Sequence, residues 1–141
     1  MESGERIHKV YLGLGSNLGD RRQLIAEAIR LVGERVGAVL RQSSLIETEP
    51  WGFQSANRFL NGVILCETRC TPRGVLRATQ QIERELGRRH KGGTYQDRTI
   101  DIDILLYDDL HIDEPDLKIP HPLMQQRDFV MVPLQEIQMN D

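Results

Sequence analysis

The chain has 141 residues, enough for one domain with a hydrophobic core and too few for two. Its 18 Lys and Arg against 21 Asp and Glu leave a net charge of -3, with no polyanion-binding footprint, which argues against nucleic acid as a partner. Hydrophobic residues at 39% and charged residues at 28% are an ordinary soluble balance, with no apolar run near the roughly 20 residues of a membrane span and no secretory leader, so a cytoplasmic location is expected.

In chain order, residues 8–14 (HKVYLGL) alternate Val10, Leu12 and Leu14 with Lys9, Tyr11 and Gly13, the pattern of a strand with two unlike faces. GSNLGD follows as a turn, with Asp20 as a helix N-cap. Residues 21–36 place Leu24, Ile25, Ala28, Ile29, Val32 and Val36 at helical spacing, and Gly37 lies just past the end. Residues 39–47 read as a second strand, PWGFQSAN as a loop, and 59–67 (FLNGVILCE) as a third strand. Thr71 and Pro72 open a second helix, which turns Leu76, Thr79, Ile82 and Leu86 inward and stops at Gly87. A polar loop, RRHKGGTYQ, leads to a fourth strand, RTIDIDILLY at 98–107. The rest reads as an irregular tail with short elements. Cys66 and Cys70 have neither redox nor zinc spacing and are expected to be reduced structural thiols.

The order strand, helix, strand, strand, helix, strand predicts an α+β, ferredoxin-like βαββαβ core in one domain spanning 1–141. Both helices would pack on one face of an antiparallel sheet and leave the other face to a ligand. GLGSNLG looks like a dinucleotide-binding fingerprint, but its last spacing is one residue too long and no GK[ST] follows. Its glycines are assigned to a tight strand-to-helix turn.

Within the fourth strand, Asp101 and Asp103 share a face, because side chains alternate along a strand. Ile100, Ile102, Ile104 and Leu106 would line the opposite, helix-facing side. Two carboxylates about 7 Å apart at the backbone repel each other unless a cation sits between them. Magnesium, which takes oxygen ligands from one or two carboxylates plus substrate phosphates, would meet that need. A solvated face, or pairing with Arg98, accommodates the same pattern. The preceding loop carries Arg88, Arg89, His90, Lys91 and Arg98 around Gly92 and Gly93. Beside a metal site, such a loop suits clamping a polyphosphate; taken alone, it suits a solvated hinge.

GSNLGD, ETEPWGF at 47–53, FLNGV at 59–63, RTIDIDILLY and PHPLMQQRDFVMVPLQEI at 120–137 occur in that order. Together they resemble the 6-hydroxymethyl-7,8-dihydropterin pyrophosphokinase family of folate biosynthesis, from about Val10 to Ile137. The resemblance implies transfer of the terminal pyrophosphate of ATP to the pterin hydroxymethyl group, with release of AMP, on a ferredoxin-like fold. It implies two magnesium ions on Asp101 and Asp103, and an ATP site lined by Gln80, Glu83, Arg88, Arg98, Ile104, His121 and Arg127. Arg88, Arg98, Asp101 and Asp103 would carry the catalysis. Phe59 and Phe129 would sandwich the pterin ring, Asn61 would read its edge, and Thr48 and Trp51 would add backbone groups. A planar, polar-edged ring is served by such aromatic faces and a side-chain amide. The partners expected are ATP and the pterin alone, with a monomeric enzyme, no nucleic acid and no membrane. His8 and His111 receive no role.

Two departures from the family pattern stand out. Arg89 and His90 follow Arg88 where the family often has Arg-x-Arg, and Tyr95, Gln96 and Asp97 replace a usual Trp-Gly-Pro. Two other functions fit a ferredoxin-like domain: a ligand-sensing module without catalysis, and a metal-dependent phosphohydrolase.

Overall fold

The computed structural model describes residues 3–48, 58–87 and 100–138. Seven strands and three α-helices lie within them: β1 (Ser3–Ser16), α1 (Arg21–Arg35), β2 (Val39–Gln42), β3 (Ile46–Thr48), β4 (Phe59–Cys70), α2 (Pro72–Gly87), β5 (Asp101–Tyr107), β6 (Ile112–Glu114), β7 (Leu117–Ile119) and α3 (Asp128–Gln138). A short 3-10 turn, Met124–Gln126, precedes α3.

The main sheet has the order β2-β4-β1-β5, with β3 also paired to β4, and the pairings are antiparallel. β1 and β4 form the centre, and β5 is an edge. The alternation in β1 sorts residues as the sequence predicts. Val10, Leu12 and Leu14 join Ile25, Ala28, Val32, Val75 and Ile82 of α1 and α2 in the main core, while Tyr11 faces the other way. Both helices start as expected. Asp20 accepts a hydrogen bond from the Gln23 N–H at 3.2 Å, and Thr71 Oγ1 accepts one from the Gly74 N–H at 3.1 Å, each satisfying a first-turn donor.

Four expectations need correction. The second strand is split: Ser43 Oγ accepts from the Val63 N–H at 2.9 Å and the Ser43 N–H bonds to the Val63 carbonyl, so the chain kinks between β2 and β3. Leu106 leaves the helix-facing side. A register shift between Tyr11 and Leu12 puts Leu12 opposite Ile104 and Tyr11 opposite Leu106, so Leu105 is the extra residue of a bulge. Beyond it the faces exchange: Leu106 joins the second cluster, and Tyr107 returns to the core. The tail is regular, with a β6–β7 hairpin and a third helix. Pro133 lies inside α3, lacks an N–H and masks the helical signal. Val130, Leu134 and Ile137 nevertheless recur at helical spacing and pack on Val63, Leu65 and Leu105. The second sheet face is therefore partly covered by α3 rather than left open.

Candidate active site

β5 presents Asp101 and Asp103 on the face opposite Ile102 and Ile104, as the alternation requires, and both aspartates are half-buried. Glu83 of α2 reaches them around the edge of the sheet. Its Oε2 accepts a 2.7 Å hydrogen bond from the Ile102 N–H. Burial pushes the Glu83 carboxyl well above the usual carboxylate range against the opposing effect of that bond, and the charges of Asp101 and Asp103 with a hydrogen bond to Asp101 add to the rise. The surroundings thus favour the neutral form of Glu83 beside two aspartates.

The Ile119–Pro120 peptide is cis, and His121 follows it. The His121 N–H donates to the Leu105 carbonyl at 3.0 Å, which ties this segment to β5. Its Nδ1 accepts from the Leu123 N–H at 3.3 Å. Burial and the Arg127 guanidinium lower the His121 pKa, and Asp101 partly offsets them. The Arg127 guanidinium lies 5.6 Å from the centre of the Phe129 ring, in the range of a cation–π contact. His121, Arg127, Asp101, Asp103 and Glu83 are therefore electrostatic neighbours around one edge of the sheet.

The other predicted group collects on β3 and β4. Asn61 is buried, and its Nδ2 donates to Thr48 Oγ1 at 2.8 Å. Phe59 pairs with Thr48 across the ladder. β1 connects the two groups: Gly15 lies opposite Asn61 on one side and Asp101 on the other, and Gly13 lies between Val63 and Asp103. Two strand spacings put the Asn61 and Asp101 backbones about 10 Å apart, with a glycine between them. A β-carbon at Gly15 would sit 2.8 Å from Asn61 Oδ1 and 3.5 Å from Phe59 Cδ1. At Gly13 it would meet only Leu105 methyls at 3.5 Å. These glycines belong to β1, and only Gly19, with φ +74, serves the turn assigned to the whole motif. The signal for their role was present: two glycines two apart in a strand leave one face bare.

Phe129, in the first turn of α3, packs with the cluster containing Leu105, on the same sheet face as Gly13. Gln80 is exposed on α2, one turn before Glu83. Ile104 is buried in the helix-facing core, so only its backbone can meet a ligand. Trp51, Arg88 and Arg98, with the rest of the basic loop, lie outside the described residues. Among the described residues no group of three or more His, Cys, Asp or Glu side chains could hold a metal ion, and no helix is long and apolar enough to cross a membrane.

The family model for 7,8-dihydro-6-hydroxymethylpterin-pyrophosphokinase (HPPK) matches residues 11–139. A 2-amino-4-hydroxy-6-hydroxymethyldihydropteridine pyrophosphokinase of Porphyromonas gingivalis is 51% identical over 131 residues, covering 91% of this chain and 89% of that protein. One of the same name from Aquifex aeolicus is 42% identical, covering 93% and 81%. Among solved structures, wild-type Plasmodium falciparum HPPK-DHPS with pteroate superposes with a TM-score of 0.74 at 17% identity. That match covers 96% of this chain and 39% of the longer one, and it speaks to the fold. The chain belongs to the 7,8-dihydro-6-hydroxymethylpterin-pyrophosphokinase (HPPK) family.

Proposed function

We propose that this enzyme transfers the terminal pyrophosphoryl group of ATP to the hydroxymethyl oxygen of 6-hydroxymethyl-7,8-dihydropterin and releases AMP, as a step of folate biosynthesis. The hydroxymethyl oxygen attacks the β-phosphorus in line. A new O–P bond forms while the bridge to the α-phosphate breaks; AMP departs with the bridging oxygen, and the hydroxyl proton passes to solvent. The strand order β2-β4-β1-β5 accords with a ferredoxin-like core once β2 and β3 are taken as one interrupted strand.

The donor set suits magnesium. Asp101 and Asp103 offer hard oxygen ligands, and two carboxylates without a complete protein cage leave positions for substrate phosphates. When bound, two magnesium ions neutralise the polyphosphate and polarise its oxygens. Glu83 lies against Asp101 and, by accepting the Ile102 N–H, ties α2 to the edge of β5 that carries both aspartates. His121 and Arg127 line the nucleotide side with Gln80 and the Ile104 backbone. Arg88 and Arg98 complete the charge on the phosphates.

On the pterin side, Asn61 and Thr48 read the ring edge, Trp51 adds a backbone group, and Phe59 and Phe129 stack on the two ring faces. The observation that carries the proposal is the row Asn61–Gly15–Asp101. It sets an amide reader and a cation ligand on either side of a strip without side chains, where a hydroxymethyl arm can cross. An assay for AMP with ATP, magnesium and the pterin tests it. AMP that appears only with pterin supports the proposal. Its absence, or phosphate release without pterin, refutes it.

A further inference from the structure

Arg21 opens α1, directly after the Asp20 cap. One terminal nitrogen reaches β3 and the other reaches the residue that leads into β4. Nη1 donates to the Arg58 carbonyl at 3.0 Å, and Nη2 donates to Glu47 Oε2 at 3.0 Å. Glu47 directly precedes Thr48, and Arg58 directly precedes Phe59. Thr48 and Phe59 are themselves a rung of the β3–β4 ladder. One side chain from α1 therefore grips both strands beside that rung. Thr48 Oγ1 in turn accepts the Asn61 amide at 2.8 Å, so the grip continues to the residue at the centre of the pterin half.

β3 has reason to need such a tie. It is three residues long and pairs with β4 alone, so its ladder hydrogen bonds are few. At its other end the Ser44 N–H and hydroxyl bond to Glu136 of α3. Arg21 supplies the matching anchor at the site end. An exposed ion pair by itself contributes little. The second bond differs, because it ends on a backbone carbonyl and fixes the main chain. The planar guanidinium fork serves both acceptors at once, which a lysine ammonium on a flexible stem does less well.

We propose that Arg21 is a positioning residue for the pterin half of the site: its ties to Glu47 and to the Arg58 carbonyl hold the Thr48–Phe59 rung and, through Thr48, the Asn61 amide. The proposal rests on the pyrophosphokinase reading above. Arg21 touches neither substrate, so its loss changes pterin affinity and leaves the nucleotide half alone.

The test compares Arg21→Met, Arg21→Lys and a control, Arg30→Met, which removes exposed pairs with Glu27 and Glu34 on the same helix. AMP formation gives kcat and the pterin KM, calorimetry gives the Kd for ATP with magnesium, and hydrogen exchange follows the amides of residues 46–48 and 59–61. Arg21→Met is expected to raise the pterin KM about five- to tenfold, the worth of one ordinary hydrogen bond, with kcat and nucleotide Kd unchanged. Arg21→Lys should recover part of the loss, and Arg30→Met should show none. An unchanged pterin KM, or equal losses for pterin and ATP, overturns the proposal. Should the unsubstituted protein form no AMP, the pyrophosphokinase reading falls and exchange decides alone. Faster exchange at those amides in Arg21→Met then upholds the clasp, and unaltered exchange overturns it.

Discussion

Glu83 Oε2 and the Ile102 N–H lie 2.7 Å apart, so a side chain of α2 satisfies a backbone donor on the edge strand that carries both aspartates. The burial that accompanies this contact, with the neighbouring charges of Asp101 and Asp103, moves the Glu83 pKa from 4.5 up to about 8. Between those values the folded protein keeps a proton that the unfolded chain has released. The associated stability is whole below the unfolded pKa and is lost as pH rises through the folded one. Urea midpoints of the metal-free protein should therefore fall from about pH 5 to about pH 9, and Glu83→Gln should flatten that decline. A variant as pH-sensitive as the parent in this window would assign the effect to another group.

Asp101→Asn and Asp103→Asn keep the size of the side chain and remove its charge. Each should leave the circular dichroism spectrum and thermal midpoint close to those of the parent. AMP formation should drop on the order of a hundredfold or more, because the charge that gathers the cations is gone. A rate within a few fold of the parent in either variant would remove that aspartate from the cation site.

Gly15 and Gly13 offer a matched pair. Gly15→Ala forces a methyl to 2.8 Å from Asn61 Oδ1, so the amide must turn away from its place. Pterin KM should rise about tenfold, equivalent to ~1.4 kcal/mol, while nucleotide affinity holds. Gly13→Ala meets the Leu105 methyls at 3.5 Å, an ordinary contact, and should be nearly silent. Steady-state kinetics on both variants, with either result reversed, would show that the strip between Asn61 and Asp101 does not need to be bare.

Leu134 of α3 is buried against the second sheet face. Leu134→Ala should destabilise the fold by about 2–5 kcal/mol, measured as a lower urea midpoint with an unchanged slope. A loss under about 0.5 kcal/mol would mean that α3 does not pack on the sheet as described.

Periodicity located β1, β4, β5 and the first two helices because one face of each meets the main core. Val10, Leu12 and Leu14 carry that pattern without interruption, as do Ile25, Ala28 and Val32. It failed where a local contact competed with the repeat. Ser43 broke the second strand, Leu105 took an extra place in the fourth, and Pro133 hid a helix whose apolar positions were otherwise correct. Asp101 and Asp103 were legible because alternation alone puts them on one side. The ties from Glu83 to Ile102 and from Arg21 to two strands were not, since each joins residues far apart in the chain through side chains with no periodic signature.

The sequence by itself determined the βαββαβ order of the core, apart from the break in its second strand, the shared face of Asp101 and Asp103, and the family resemblance, because these depend on neighbours along the chain and on ordered motifs. Only the tertiary structure decided that Asn61 and Asp101 flank Gly15, that Glu83 is buried beside the aspartates with its pKa raised, and that α3 closes part of the second face. Cross-strand register and burial arise from the packing of segments distant in sequence, and no local pattern encodes the distance between them.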